Sequence, residues 1–241
     1  VATLALIDAF VHIAGYDFTC DANELMLSAD AEALDVTTFC SAGWKTHIAG
    51  LKTSTLSVAG FFDSAVDQAP DPQIFPKLGT LDEVVTVGDV NTEAQVAFLA
   101  KLGKFSYQHG GAINQVYPFS VSAQGTGNPG VVRGQLAAKK QTVAATGATG
   151  TVVNLGSASG KTVYASLHVF TRGTTITVDV EADSAANFPS PTTVATFNGG
   201  AITATGGYWL TPTAGTSDAY YRLNVTAVTG SHSIAGAIAV V

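Results

Sequence analysis

The sequence predicts a mainly β protein of two β domains, and three observations carry that prediction. Long segments alternate apolar and polar residues with a period of two, the mark of half-buried strands. Of the 241 residues, 46% are hydrophobic, 12% are charged and 25 are glycine. That is about half the usual charged share, which suits sheets covered by other protein. Beyond residue 160, short strand-like runs recur with turn residues between them, the pattern of a sandwich.

An apolar strand is expected over residues 3–14, and then a polar loop over 15–23. From Glu24 to Leu34 the alternation is clean, with Leu25, Leu27, Ala29, Ala31 and Ala33 on one face and Glu24, Met26, Ser28, Asp30 and Glu32 on the other. A long loop over 35–49 leads to a return strand at 51–62, so the pair forms a hairpin with one apolar and one polar face. Pro70, Pro72 and Pro76 mark a linker, and Val84–Val87 fits a short strand. Thr92 and Gln95 fit a capping box, with Phe98, Leu99 and Leu102 behind it and Gly103 as a C-terminal cap, so a helix is expected over 92–103. Strands are expected at Val116–Gln124 and Val131–Ala144, forming a hairpin around Gly125–Gly130.

Residues 145–160, rich in Ala, Thr, Gly and Ser, read as a linker. Strands are expected after it at Thr162–Thr171, Thr174–Glu181, Thr192–Asn198, Ala219–Val228 and Ser233–Val241. The expected organisation is therefore a β domain over 1–145 with one flanking α-helix, a linker over 146–160, and an Ig-like or jelly-roll β-sandwich over 161–241.

The net charge of −7 is unevenly placed. Asp8, Asp17, Asp21, Glu24, Asp30, Glu32 and Asp35 fall before any Lys or Arg, and residues 1–145 carry −6 against −1 for the remainder. Tight nucleic-acid binding draws its affinity from cations on phosphates, so this chain argues against it, although it could surround DNA without gripping it. Cys20 and Cys40 are too few for a disulfide framework and read as reduced, buried thiols, with a single bridge left open. Nothing reaches the apolar length of a membrane helix, and no charged-then-apolar leader opens the chain, so neither membrane insertion nor a signal peptide is expected.

Motifs that suggest catalysis or cofactors lack their structural context. Gly125-Thr-Gly-Asn-Pro-Gly130 matches the dinucleotide spacing but carries Pro129 and leads into a strand. Gly156-Ser-Ala-Ser-Gly-Lys-Thr162 is one residue short of a phosphate loop and precedes β-patterned sequence. His12, His47, His109, His168 and His232 are scattered without zinc spacing, and no nucleophile elbow occurs. Asn224-Val-Thr226 reads as strand residues, and Tyr208, Trp209, Tyr220 and Tyr221 read as sandwich core. No catalytic residue, cofactor site or metal site is expected, and the chain is not read as an enzyme.

Leu34-Asp-Val-Thr-Thr-Phe39, followed by Gly50-Leu-Lys-Thr-Ser-Thr-Leu-Ser-Val-Ala-Gly-Phe-Phe-Asp63, resembles the core hairpin of bacteriophage major tail proteins, the tail tube subunits of siphophages. The resemblance is best over residues 1–145 and implies a tail-tube-type β-barrel or sandwich there. In that family six subunits close a ring around a continuous β-barrel, four strands from each, and rings stack into a tube for DNA ejection. The resemblance implies a virion location, assembly in the host cytoplasm, and self-association with tape measure, tail tip and terminator proteins as further partners. It places Glu24, Asp30 and Glu32 toward the lumen, and it gives Asp35, Val36, Thr37, Thr38, Phe39 and Trp44 to inter-subunit or inter-ring contacts. The second domain resembles those that decorate some tubes. The alternative is a carbohydrate-binding sandwich or a carbohydrate-active enzyme.

Overall fold

The computed structural model describes residues 7–41, 43–65, 69–210 and 213–241. Strand β1 (Phe10–Ile13) turns through Ala14 and Gly15 into β2 (Tyr16–Asp17), and β3 (Ala22–Asp35) with β4 (His47–Phe61) forms a long antiparallel hairpin. Helix α1 (Pro70–Ile74) and a 3-10 turn at Phe75–Lys77 follow, starting where proline fits a first helical turn. Next come β5 (Glu83–Gly88), β6 (Val96–His109), β7 (Pro118–Gly125) and β8 (Val131–Val143). The remainder is β9 (Gly147–Asn154), β10 (Thr162–Thr171), β11 (Thr175–Asp183), β12 (Thr192–Thr196), β13 (Gly206–Trp209), β14 (Thr213–Ala214), β15 (Tyr220–Thr229) and β16 (His232–Val240).

The larger sheet runs β13-β10-β16-β8-β6-β5-β1-β2, and a branch β6-β7-β4-β3 leaves it at β6. The branch arises because β6 outlasts its partners. Val96–Ala100 pair with β8, and Leu102–His109 pair with β7 along the same side. So β7 and β8 lie end to end beside β6 instead of forming the expected hairpin, with residues 126–130 as the break between them. The smaller sheet, β12-β11-β15-β9, packs on β8, β10 and β16 around Val153, Leu167, Val180, Phe197, Tyr221 and Ile238, all inaccessible to solvent. The expected sandwich strands are thus present, but the sandwich takes in β8 and β9 from before residue 161.

Three sequence expectations are corrected here. Residues 92–103 do not form a helix: a turn with Ala94 at φ 63° leads into β6, and the flanking helix is the short α1 instead. Both faces of β6 are buried, with Ala97 and Leu99 in one core and Ala100 and Leu102 in another. Such a strand reads as a continuous apolar run, which periodicity cannot separate from a helix. Half of the expected linker is strand β9, paired with β15, where Gly150 (φ 74°) lies so close to Ala137 and Ala138 that a Cβ would run into their backbone. Cys20 and Cys40 are both exposed and free rather than buried. The opening strand begins at Phe10, and the expected residues 3–6 lie outside the described residues.

Candidate assembly surface

The β3–β4 hairpin is packed only at its base. Rungs across the branch, Leu25–Val58–Val121–Tyr107 and Leu27–Leu56–Ala123, put their apolar side chains onto a core built with Val11, Ile13, Phe18, Ile74, Val85 and Val87. From Ala29 to Thr53 almost every described residue is exposed, whichever way its side chain alternates. A two-stranded ribbon with neither face covered is marginal in water. β3 is also an edge, since among the described residues it pairs with β4 alone.

The opposite face of the branch is polar and free of Lys and Arg. Its rungs read Glu24–Ala59–Ser120–Gln108, Met26–Ser57–Ser122–Ser106 and Ser28–Thr55–Gln124, with Asp30 opposite Thr53. Glu24 and Asp30 lie exposed on this face, away from Leu25 and Leu27. Glu32 is exposed past an irregularity in register between Ala31 and Ala33, against Gly50.

The hairpin tip is ordered by its own hydroxyls and carboxylate. The Thr37 N–H donates to Asp35 Oδ1 (2.8 Å), the Thr46 N–H to Thr37 Oγ1 (2.9 Å) and the Val36 N–H to the Thr46 carbonyl (2.9 Å). The bonds from Thr37 hold the Asp35 carboxyl below its ordinary range. Thr38 and Ser41 exchange bonds, and the Trp44 N–H donates to the Ser41 carbonyl (3.0 Å). The tip therefore presents Phe39, fully exposed, and Trp44, 81% exposed, to solvent, with Val36, Leu34, Ile48 and Leu51 exposed behind them.

Among the described residues, every exposed large hydrophobic except Ile7 and Val241 lies between Met26 and Tyr117. Sequence reasoning found Phe39 and Trp44 but missed Phe75, Leu78, Leu81 and Phe105, exposed on the β6 flank of the branch. Leu81 and Phe105 converge there over Gly103, and the Leu78 N–H donates to the Phe75 carbonyl. Apolar residues in or beside a strand pattern look like core in a sequence, so no local signal separates them.

A second concentration of polar groups is closed to solvent. The Gly15 N–H donates to His168 Nδ1 (3.3 Å), which leaves the His168 proton on Nε2 to reach Thr86 Oγ1 (2.9 Å); the Thr86 hydroxyl then meets Ser166 Oγ at 2.6 Å. His12 packs its ring tilted or edge-on against Phe10, Phe170 and His168, and its Nε2 lies 3.7 Å from Asp17, itself held by Lys140 at 2.9 Å. Burial drives the His12 pKa down to about 4 and that of His168 well below its ordinary value. His12, Thr86, Ser166 and His168 are at most 1% exposed, so the cluster staples β1 and β5 to β10 rather than meeting a substrate. Glu83 and Lys104 form a buried ion pair at 2.6 Å beside a cavity of about 10 Å³, room for a single water. Among the described residues no group of His, Cys, Asp and Glu side chains could hold a metal, and no helix is long and apolar enough to cross a membrane. Tyr221 is fully buried, while Tyr208 and Trp209 pack half-buried against the cores.

No family model matches the sequence, and no curated protein matches it. Solved structures do align. A chain from the virion of a native gene transfer agent particle matches at 20% identity and TM-score 0.40, over 50% of this chain and 92% of its own. One from the baseplate of the anti-feeding prophage matches at 13% identity and TM-score 0.41, over 53% and 95%. The Dit protein of SPP1, described as a hub of the adsorption apparatus in phages infecting Gram-positive hosts, matches at 12% and TM-score 0.35, over 95% and 98%. At these identities and scores the alignments assign no function to this chain.

Proposed function

We propose that this chain is a structural subunit of a phage-type tail that assembles with copies of itself into stacked rings around a channel for DNA. One observation carries the reading: a long hairpin, exposed on both faces beyond Ala29, bears Leu34, Val36, Phe39, Trp44, Ile48 and Leu51 to solvent. Monomeric proteins rarely leave apolar surface of that extent uncovered, and unpaired edges invite another chain. Closing the branch sheets of several copies into a barrel removes those edges. The polar face, with Glu24 and Asp30 and no cation in its rungs, then fits a lumen. It repels phosphate and offers no counterion release, so DNA slides past without sticking. The sandwich half, with no exposed large hydrophobic among its described residues except Val241, fits the outside. Six-fold closure and the tape measure, tip and terminator partners follow from the family resemblance and belong to this proposal, as does a non-enzymatic role.

Electron microscopy of the purified chain across a concentration series tests the reading. Rings or hollow tubes of uniform diameter are expected as concentration rises. Monomers at every concentration, with and without an added tail-tip complex, would overturn it.

A further inference from the structure

The outer face of the smaller sheet holds a buried carboxylate oxygen with no hydrogen-bond partner among the described residues. Along β11 the side chains of Ile176, Val178, Val180 and Ala182 enter the sandwich core, so Asp179, Glu181 and Asp183 stand on the opposite face. Register places Thr196 of β12 and Asn224 of β15 on either side of Asp179, and Arg222 of β15 opposite Glu181. Two of the three carboxylates are satisfied on both oxygens. Glu181 Oε2 receives Arg222 Nε (2.8 Å) and Nη2 (2.7 Å), and its Oε1 receives Asn224 Nδ2 (2.8 Å). Asp183 takes the N–H groups of Ala185 (3.0 Å) and Ser190 (2.8 Å), one on each oxygen. Those bonds hold the loop that carries Phe188, whose ring lies 4.3 Å from the Arg222 guanidinium. Asp179 is left out: it is 8% exposed, and its Oδ1 is closed in without a donor.

We propose that Asp179 is the floor of a binding site for a primary ammonium group, carried by a free alkylamine or polyamine or by a lysine side chain. Burying a carboxylate without a donor is costly, and native chains rarely leave such a group unpaired. Its neighbours cannot serve it. Arg222 is held between Glu181 and Phe188, and Asn224, directly across from Asp179, turns its amide nitrogen to Glu181 instead. Charge selects the ligand. The charged side chains on the four strands of this sheet are Asp179, Glu181, Asp183 and Arg222, three acids against one base, so an anion is repelled. A hard metal ion wants several oxygen ligands, and the other two carboxylates are already spent. An ammonium carries three donors and a charge that matches. Asp179 takes one donor, and the Thr196 hydroxyl and the Asn224 amide oxygen are the adjacent acceptors for the others. Thr193 is exposed and Thr196 and Asn224 are half-buried around Asp179, which leaves an approach from solvent. The site lies in the sandwich half and does not depend on how copies of the chain assemble.

Thermal unfolding of the dilute full chain, followed against butylammonium, spermidine, Nα-acetyl-lysinamide and tetramethylammonium chlorides at constant ionic strength, tests the site. The first three should raise the melting temperature saturably. Tetramethylammonium has the same charge but no N–H to donate, and should not. Asp179→Asn removes the carboxylate without breaking an internal bond, so it should melt at or above the unmodified chain. It should also weaken ammonium binding roughly tenfold or more, the usual worth of one charge-assisted hydrogen bond. Asp179→Ser takes its place should that variant fail to fold. Tighter binding of spermidine would assign the site to free polyamines, and tighter binding of the lysinamide to the lysine of a partner protein. An equal response to tetramethylammonium, a response unchanged in the folded Asp179 variants, or no saturable response to any amine would overturn the proposal.

Discussion

Replacing Trp44 with Ala separates a residue that holds the subunit together from one that holds subunits to each other. Trp44 is 81% exposed and belongs to no core cluster, and the turn it closes is made by its backbone N–H, which the substitution keeps. Folding stability should therefore change by less than about 0.5 kcal/mol, as for other surface substitutions. In an assembly the ring would be buried. An aromatic side chain buries on the order of 150–250 Å². Losing roughly 150 Å² of contact at about 25 cal/mol per Å² costs up to ~4 kcal/mol, and interface anchors commonly cost about 2 kcal/mol or more. A loss of about 2–4 kcal/mol raises the concentration needed for assembly roughly 30- to 1000-fold. Light scattering across a dilution series reads that concentration, and a urea melt of the dilute monomer reads folding stability. An unchanged assembly threshold would refute the role given to the tip, and a large fall in monomer stability would show that Trp44 serves the fold.

Two further predictions concern the interior. The His12 pKa is depressed to about 4 in the folded chain, so below its ordinary value near 6.5 the unfolded chain takes up the proton first. Stability from this group is complete above that value and falls as pH drops toward 4; at about pH 5 the loss is on the order of 2 kcal/mol. Urea midpoints at neutral and acidic pH should show it, and His12→Gln should flatten part of the slope, with His168 supplying the rest. Removing the carboxylate by Glu83→Ala leaves Lys104, 2% exposed, as a buried unpaired cation, which should cost about 3–5 kcal/mol. The pair Glu83→Leu with Lys104→Met should recover most of that loss in the same melt, because the apolar replacements leave no stranded charge.

The hairpin was legible because β3 and β4 alternate against a single core: Leu25 and Leu27 on one face and Glu24 and Asp30 on the other occupy the sides their pattern implies. β5, β7, β8 and the longer sandwich strands were legible for the same reason. β6 was not, because a strand buried on both faces loses its period, and Thr92 and Gln95 supplied a helix-start signal that belongs to a turn. β9 was hidden by composition: Gly147 and Gly150 read as linker residues, yet they serve positive φ and close approach to β8. Phe39 and Trp44 stood out because they lie in a long polar loop, and both side chains are exposed there. The exposed Leu78, Leu81 and Phe105 were missed because they lie far apart in the sequence, and only the pairing of residues 79 and 80 with Lys104 brings them together.

Hydrogen exchange measured on dilute and on assembled protein tests the central claim most directly. The account predicts new protection in peptides spanning β3, the tip and β4, together with residues 75–81 and 105–109, and unchanged exchange in β10 to β12. Protection that appears instead on the sandwich strands, or none anywhere once particles have formed, would contradict it.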